Sequence, residues 1–533
     1  MSYKNVYIEL NCSLELRCFN MLGRILKRLI YFLTSRIFLI AVILITQLFV
    51  ILSFVLHLGI INPVVRYLLF FLNICLVIKV VNRNSNTYYK LAWIIIILGL
   101  PLTGGIVYLM FAEKKVPKPL RAKILEEGGE AKNLFERQDI IFKHKSVEKI
   151  YKYVANVSDY PYYKNTEVEH FEAGEMFFAD LIKRLDEAQN FVFIEMFIIK
   201  DGYMLDTLLA KLDECIKRGV KVYLLYDDGG NITCLPEHFE ENLKARGINV
   251  HAFSKVSVFL SLLSKANNRS HRKIIVIDNK YAYTGGFNLA DEYINKIERF
   301  GYWKDTGILL KGEAVWNFTV TFIQFYNASC HYNDKQLRYM DFKLEHDFEE
   351  NDTIVLPFSD SPTDNEDIGY NVHLSMINSA KRYIYISTPY LVIDYNIITA
   401  LTTAAKSGVE VIITVPHIPD KKTVFMVTRS NYEELIKAGV RIFEYTPGFI
   451  HSKMIIIDDQ LALNGTINMD FRSYYLNYEC GVLVYNDDEI KCMRNDYLHT
   501  IAQSEEINSE KIKKVHPIVI IFRAILNVFA PLL

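Results

Sequence analysis

Cysteine is sparse in this chain, and neither sign of charge is in excess. The eight cysteines form no Cys-x-x-Cys pair and no cluster with histidine, which argues against a zinc site and against a disulfide framework. This cysteine usage favours a reducing compartment for the larger, polar part of the chain. The formal net charge of −1 provides no broad positive field that would gather nucleic acid.

Long uncharged runs are concentrated in the first 112 residues. Residues 37–60 and 91–112 contain 24 and 22 residues without a formal charge, and each run is long enough to cross a bilayer. Residues 67–78 form a shorter run of 12, which fits a span or a re-entrant or interfacial piece. Basic residues precede the first run, and no signal-peptide cleavage pattern follows it. The run is therefore predicted to be a membrane anchor with its N-terminus inside.

The number of spans decides the side on which the larger part of the chain lies. Three spans place that part outside, and two spans place it inside. The basic residues between and after the runs support each arrangement in part, so both remain open.

One motif occurs twice, with the same internal spacing, 180 residues apart. The first copy reads His-Arg-Lys-Ile-Ile-Val-Ile-Asp over 271–278 and Gly-Gly-Phe-Asn over 285–288. The second reads His-Ser-Lys-Met-Ile-Ile-Ile-Asp over 451–458 and Gly-Thr-Ile-Asn over 465–468. Period-two geometry places His and Lys on one face of a strand, and the Gly-led segment is predicted to be the turn after it. A duplicated unit that served folding alone would have no reason to keep buried His and Lys in both copies.

The rest of the chain predicts an α/β architecture in two similar halves, each with a mostly parallel sheet covered on both faces. Strands and helices alternate in the same order in both halves, and each motif copy stands at the same place in its half. An acidic stretch with ten Asp or Glu against one Lys separates them and is predicted to be a solvated linker. We divide the chain into a lead (1–36), a membrane region (37–112), a connector (113–155), a first domain (156–340), the linker (341–367), a second domain (368–510) and an amphipathic C-terminal helix (511–533).

Two His, two Lys and two Asn that converge between two similar domains can act on a phosphodiester. Ammonium and amide groups donate hydrogen bonds to the non-bridging oxygens. One imidazole attacks phosphorus, while the other protonates the leaving alkoxide and later activates the acceptor alcohol. No carboxylate cluster suited to Mg²⁺ stands near either motif, so neither a metal nor another cofactor is expected. The candidate residues are His271, Lys273, Asn288, His451, Lys453 and Asn468.

A nucleophilic imidazole is normally held in one tautomer by a carboxylate on its other nitrogen. Asp305 and Glu479 stand at comparable points downstream of the two motifs, and each is expected to orient the histidine of its own half. Asp278 and Asp458 stand at the strand ends and are expected to hold the loop and the neighbouring Lys, without entering the chemistry directly.

These motifs resemble those of the phospholipase D superfamily, and the rest of the chain resembles bacterial cardiolipin synthases of the phospholipase D type. Residues 267–269, 285–293, 468–473 and 476–479 carry the resemblance, which runs from about residue 65 to the C-terminus. Residues 90–108 resemble the N-terminal membrane segment of that family, and the run at 37–60 is additional to it. Gly286 and Thr466 stand where Ser is frequent in the superfamily, and the resemblance implies that they bind the substrate phosphate.

The resemblance implies two phospholipase D-like domains and a phosphatidyltransferase that uses two phosphatidylglycerol molecules. One would give its phosphatidyl group to the enzyme as a phosphohistidine and release glycerol, and the second would accept it to form cardiolipin. His271 is expected to be the nucleophile and His451 the general acid and base. The resemblance also implies a multi-pass protein of the bacterial cell membrane with phospholipid partners and no nucleic acid; homo-oligomerisation is left open.

Three alternatives remain at this stage. The enzyme could use water or serine as acceptor, or phosphatidylethanolamine as donor, because the motifs do not specify the pocket walls. A membrane-tethered nuclease would require a basic stripe with aromatic residues along the cleft, which the near-neutral charge disfavours. An inactive membrane scaffold would have no need of both histidines.

Overall fold

The structure is a computed structural model that describes residues 63–100, 103–112, 116–232, 234–254, 268–330, 336–364, 366–508, 510 and 516–532. The chain divides into two compact units, residues Met1–Glu113 and Lys114–Leu533. The predicted span at 37–60 lies outside the described residues.

The described part of the N-terminal unit consists of three helices, α1 (Pro63–Val81), α2 (Thr87–Gly99) and α3 (Gly104–Phe111). Its core includes Trp93, which packs edge-on against Tyr108 with ring centroids 5.4 Å apart. The Tyr89 hydroxyl donates a hydrogen bond to the carbonyl of Ala112 at 2.8 Å. Residues 67–78 lie inside α1.

Within residues 91–112, predicted as one membrane segment, the structure describes two separate helices, α2 and α3. Pro101, which has no amide hydrogen to continue a helix, stands in the sequence between them. A Cβ atom on Gly104 would lie 2.3 Å from the carbonyl oxygen of Ile96, so only glycine permits this approach of the two helices. Among the described residues, no helix has both the length and the apolar character needed to cross a membrane.

The larger unit opens with α4 (Lys118–Lys132) and α5 (Lys145–Ser158) and then forms a first mixed sheet. Its strands are β1 (Thr166–Phe171), β2 (Phe191–Met196), β3 (Lys221–Asp227), β4 (Asn249–Phe253), β5 (Ile274–Ile277) and β6 (Tyr281–Gly285), followed, beyond the separate β7 (Tyr302–Lys304), by β8 (Gly307–Gly312). The spatial order is β1-β8-β6-β5-β2-β3-β4. The helices of this half are α6 (Gly174–Arg184), α7 (Tyr203–Lys217), α8 (Asp228–Asn231), α9 (Phe239–Ala245) and α10 (Val315–Ser329).

The second sheet repeats this arrangement. Its strands are β9 (Ile354–Asp360), β10 (Tyr383–Ser387), β11 (Glu410–Pro416) and β12 (Arg441–Tyr445), then, beyond the separate β13 (Gly448–Ile450), β14 (Met454–Ile457), β15 (Leu461–Gly465), β16 (Glu479–Tyr485) and β17 (Ser504–Ile507). The spatial order is β17-β12-β11-β10-β14-β15-β16-β9. The helices are α11 (Ile368–Ser379), α12 (Tyr395–Lys406), α13 (Lys422–Ser430), α14 (Tyr432–Lys437), α15 (Phe471–Tyr475), α16 (Glu489–Ala502) and α17 (Pro517–Val528).

The expectation of mostly parallel sheets is wrong, since both sheets are mixed and antiparallel pairs predominate. Strands β2, β3 and β4 pair in parallel, as do β10, β11 and β12, but the remaining neighbours are antiparallel. In each sheet one antiparallel pair, β5 with β6 or β14 with β15, results from a tight turn after the motif strand, in which Asp278, Asn279, Asp458 and Asp459 all have positive φ and reverse the chain. The Gly-led segments therefore begin at the ends of β6 and β15 and are not the turns themselves.

The two sheets share one hydrophobic core, in which α10 lies. Phe193 and Ile274 of the first sheet and Ile456 and Val482 of the second belong to the same buried cluster as Phe322 of α10. Further cores cover the outer face of each sheet. This common core fixes the two motif copies relative to each other.

Two peripheral segments bear on the domain predictions. The prediction of a solvated linker at 341–367 is wrong for its second half, because β9 forms the edge of the second sheet and pairs with β16. Helix α17 lies inside the predicted C-terminal helix at 511–533. Its Ile518, Ile521 and Ile525 side chains are exposed.

Candidate active site

Each histidine motif is attached by its backbone to the other half of the molecule. The His271 amide donates a hydrogen bond to the Tyr478 carbonyl at 2.9 Å, and the His451 amide donates one to the Lys304 carbonyl at 2.7 Å. The second contact continues the parallel pairing of β7 with β13. His and Lys precede strands β5 and β14 and do not lie within them, so the prediction that they share a strand face was wrong in detail.

The structure brings both histidines into contact with buried carboxylates, but the partners are exchanged between the halves. His271 Nδ1 lies 2.9 Å from Glu479 Oε2, and His451 Nδ1 lies 2.7 Å from Asp305 Oδ2. The expectation that each acid serves the histidine of its own half was therefore wrong. Strands β7–β8 and β16 carry the acids across the boundary between the halves, which the linear order of the motifs does not reveal.

Burial sets the protonation state of the two histidines. It lowers the pKa of His271 from the usual 6.5 to about 4 and that of His451 to about 3. Burial also works against ionisation of Asp305 and Glu479, but the hydrogen bonds and positive charge of the neighbouring His and Lys side chains keep the pKa of each acid below its usual value. With Nδ1 hydrogen-bonded to a carboxylate, each neutral ring has its Nε2 lone pair available for chemistry.

The two lysines lie beside the histidines and are almost fully buried. The ammonium of Lys273 donates to the His271 carbonyl at 2.6 Å, and that of Lys453 donates to the His451 carbonyl. Burial lowers the pKa of Lys273 to about 7 and that of Lys453 to about 8. Two ammonium groups held in a buried site with so few partners favour an anion between them.

The two asparagines differ in what they contact. Asn288 accepts a hydrogen bond from the Ile198 amide at 3.1 Å and donates to the Tyr293 hydroxyl at 2.5 Å. Asn468 is buried, and its Oδ1 has no hydrogen-bond partner among the described residues. Its role as a phosphate ligand remains a prediction, as does that of Asn288.

Gly286 and Thr466 contact the carboxylates that orient the histidines. The Thr466 hydroxyl donates to Glu479 Oε2 at 2.5 Å. A Cβ atom on Gly286 would lie 1.9 Å from Asp305 Oδ1, so the missing side chain makes room for that acid. Both positions thus contact an acid that orients a histidine, and their role as phosphate ligands remains a prediction.

Asp278 and Asp458 hold strand ends in the two halves. The Asp278 carboxylate accepts from the backbone amides of residues 189–191 at 2.6–2.8 Å. The Asp458 carboxylate accepts from those of residues 381–383 at 2.7–3.0 Å. These bonds fasten the motif turn to the start of β2 or β10, and the carboxylates make no bond to Lys273 or Lys453 that the structure shows. The loop-holding part of the prediction agrees with these contacts, and the lysine-holding part does not.

Aromatic side chains that were not among the predicted site residues pack against both imidazoles. Phe197 packs edge-on against His271 with ring centroids 4.9 Å apart. Tyr293 and Trp303 each lie with ring centroids 5.5 Å from His451. Phe197 and Trp303 stand outside the repeated motif and outside the segments that carry the resemblance, whereas Tyr293 ends one of those segments. The part of the chain that the structure describes contains no group of three or more His, Cys, Asp or Glu side chains placed to hold a metal ion.

The lysine pKa values predict the alkaline limb of the pH profile. As the pH rises through about 7 to 8, Lys273 and Lys453 lose their charge in the free enzyme, so kcat/KM for an anionic phosphodiester should fall. A bound anion favours the ammonium form, so the corresponding limb of kcat should lie at higher pH. Steady-state rates from pH 5 to 10 at constant ionic strength measure both limbs. Coincident limbs for kcat and kcat/KM would contradict this assignment.

The paired sheets and the doubled His-x-Lys motif define a phospholipase D-like protein, and comparison with known proteins agrees. The family model described as "Cardiolipin synthase, PLD-like domain" matches residues 181–299 and 373–500. A second model, "Phospholipase_D-nuclease N-terminal", matches residues 71–112.

Similar proteins extend this match over most of the chain. A protein of Streptococcus mutans described as uncharacterized is 37% identical over 86% of this chain and 99% of its own length. Cardiolipin synthase 1 of Staphylococcus aureus is 33% identical over 85% of this chain and 91% of its own. The structure of a phosphatidylserine synthase from Haemophilus influenzae superposes with a TM-score of 0.54 at 15% identity, covering 74% of this chain and 98% of that one, which shows a shared fold. The chain belongs to the cardiolipin synthase family, and it is a phosphatidyltransferase of the phospholipase D type.

Proposed function

We propose that this enzyme joins two phosphatidylglycerol molecules into cardiolipin and releases glycerol, through a phosphohistidine intermediate. The observation that carries the proposal is the pair of neutral, buried imidazoles, each held by a carboxylate from the opposite half. The ammonium groups of Lys273 and Lys453 donate hydrogen bonds to the backbone carbonyls of these two histidines. Such an arrangement suits a reaction with two successive transfers at one phosphorus, in which each step needs a nucleophile and a proton donor or acceptor.

In the first step, Nε2 of one imidazole forms a bond to the donor phosphorus, and the bond from phosphorus to the glycerol oxygen breaks. The second imidazole gives its proton to that oxygen. We assign the attack to His271 and the proton transfer to His451, following the similarity to the superfamily. An anionic phosphodiester between the rings raises the pKa of both, so the bound substrate itself favours a protonated His451.

In the second step, the proton returns to the same imidazole. His451, now neutral, removes a proton from the headgroup hydroxyl of a second phosphatidylglycerol. The resulting alkoxide attacks phosphorus, and the bond from phosphorus to His271 breaks. Lys273 and Lys453 stabilise the charge on the non-bridging oxygens in both transition states. The carboxylates of Glu479 and Asp305 keep each ring in the tautomer that the chemistry needs.

We propose further that the protein is a multi-pass protein of the bacterial cell membrane. The support is the uncharged sequence of residues 37–60 and 91–112, together with substrates that remain in the bilayer. Attachment to the same surface raises the effective concentration of both lipids at the active site.

The test is product analysis with the purified full-length enzyme in vesicles of phosphatidylglycerol. We expect one glycerol released for each cardiolipin formed, with little phosphatidic acid. Adding phosphatidylethanolamine or serine should leave this stoichiometry unchanged. Phosphatidic acid as the main product would identify a hydrolase, and free ethanolamine or phosphatidylserine would identify another donor or acceptor.

A further inference from the structure

The strands beside the two histidines pair in the same register, so each residue near His271 has an equivalent near His451. In the first sheet Ile194 pairs with Ile275, and in the second Ile386 pairs with Ile455. With the sheets in this register, the residue two positions before each histidine is Arg269 in one half and Phe449 in the other. The ends of the neighbouring strands β3 and β11 are Asp227 and Pro416. A buried ion pair beside His271 therefore replaces an apolar pair in the other half.

Arg269 has fewer partners than a buried guanidinium requires. Its side chain is 7% exposed, and its Nη1 lies 3.6 Å from Asp227 Oδ1. Within the described residues this Nη1 has no hydrogen-bond partner, because 3.6 Å is too long for one. The Asp227 oxygens are already used, since they accept from the backbone amides of Gly230 at 2.7 Å and Ser270 at 2.9 Å.

The backbone is shaped to admit this guanidinium. A Cβ atom on Gly229 would lie 2.2 Å from Arg269 Cζ, so any larger residue would displace the group. Three further side-chain atoms in adjoining segments are buried without a partner among the described residues: Asn268 Oδ1, Ser473 Oγ and Asn477 Oδ1. The Ser473 hydroxyl can donate to an anion, whereas the two amide oxygens can only accept, as from a hydroxyl group of a ligand. Leu476 accepts a hydrogen bond from Asn268 Nδ2 at 2.9 Å, which joins the two segments that carry these atoms.

A second guanidinium lies in the same region. Burial lowers the pKa of Arg472, and the charge of Arg269 acts on it in the same direction, whereas Asp470 opposes the shift. Arg472 stands in α15, directly before the segment that brings Glu479 to His271. An anion bound at Arg269 would also be attracted by this second positive charge.

We propose that Arg269 binds the phosphodiester of the acceptor phospholipid, separately from the phosphodiester that reacts. This proposal rests on the proposed function. The two lysines provide for the phosphate under attack, and a reaction that joins two anionic phospholipids brings a second phosphate close to the first. Transfer to an uncharged alcohol or to water brings none. A dedicated cationic subsite thus selects a phospholipid acceptor over the free glycerol that the first step releases.

The test compares two acceptors in the full-length enzyme. Cardiolipin formation from phosphatidylglycerol needs the second phosphate, whereas exchange of labelled glycerol into phosphatidylglycerol uses the same donor step without it. Arg269→Gln should lower cardiolipin formation by about tenfold or more, the loss of one charge-assisted hydrogen bond, and should lower glycerol exchange far less. Arg269→Lys should restore part of the difference, because it returns the charge without the forked geometry.

Two further variants distinguish loss of the subsite from a folding defect. Arg269→Gln combined with Asp227→Asn removes both charges and leaves no unpaired buried carboxylate. Gly229→Ala displaces the guanidinium and leaves every charge in place, and Gly129→Ala, where no atom lies within 4 Å of the new methyl group, is its control. An equal loss of both reactions, or a loss of neither, in the double variant and in Gly229→Ala would overturn the subsite, whereas Gly129→Ala should retain both reactions. Wild-type enzyme that exchanges glycerol and makes no cardiolipin would overturn the proposed function instead.

Discussion

Replacing His271 or His451 with alanine should lower cardiolipin formation by at least about 10³-fold. Each ring provides a group that no neighbour replaces, because the other imidazole is held to its own carboxylate by a hydrogen bond of 2.9 or 2.7 Å. Lipid product analysis on the purified variants measures the loss directly.

The matched control is His499→Ala, which makes the same change at an exposed position of α16. Its rate should remain within about twofold of wild type, as expected for a surface substitution away from the site. Thermal unfolding of all three variants separates loss of chemistry from loss of fold. Substantial synthesis by either catalytic variant, in a protein as stable as wild type, would contradict a mechanism that needs two histidines.

The sequence was sufficient to predict two similar halves and the histidines, lysines and acids that face each other where the halves meet. The signal was the doubling of a polar motif within apolar surroundings: His271 and Lys273 before one buried strand, and His451 and Lys453 before another. Burial of such groups is costly, so their repetition indicates function more strongly than composition does. The structure places each pair beside a carboxylate that lowers this cost.

Strand direction was not predictable from the alternation of strands and helices. A parallel connection and a hairpin can join apolar runs of similar length, and the deciding feature here is the positive φ at Asp278 and Asp458. Aspartate adopts that conformation more readily than most residues, but it also stands at many ordinary strand ends. The local sequence therefore did not distinguish a hairpin turn from an ordinary strand end.

The pairing of each acid with the histidine of the opposite half was likewise not predictable from the local sequence. Asp305 and Glu479 were identifiable as acids that follow the motifs at comparable points, yet their partners depend on how the halves pack. The backbone bonds from His271 to Tyr478 and from His451 to Lys304 belong to that packing. Each half thus contains a histidine that only the other half can orient, so catalysis depends on correct docking of the two sheets.

This exchanged pairing predicts which variants behave alike. A phosphatidyl ester of p-nitrophenol needs no acid to release its leaving group, so a burst of nitrophenol reports formation of the phosphohistidine alone. With His271 as nucleophile, His271→Ala should give no burst, and Glu479→Gln should slow the burst by about 10²-fold or more. His451→Ala and Asp305→Asn should give a burst near one equivalent per site, followed by slow turnover.

The sorting of the four variants is the decisive result, because it holds whichever histidine attacks. If His451 is the nucleophile, the two pairs exchange their behaviour, but Glu479→Gln still sorts with His271→Ala and Asp305→Asn with His451→Ala. Stopped-flow absorbance on equal concentrations of folded enzyme resolves burst from turnover. Should Asp305→Asn instead behave like His271→Ala, each acid would serve its own half, and the contacts across the two sheets would not be those of the working enzyme.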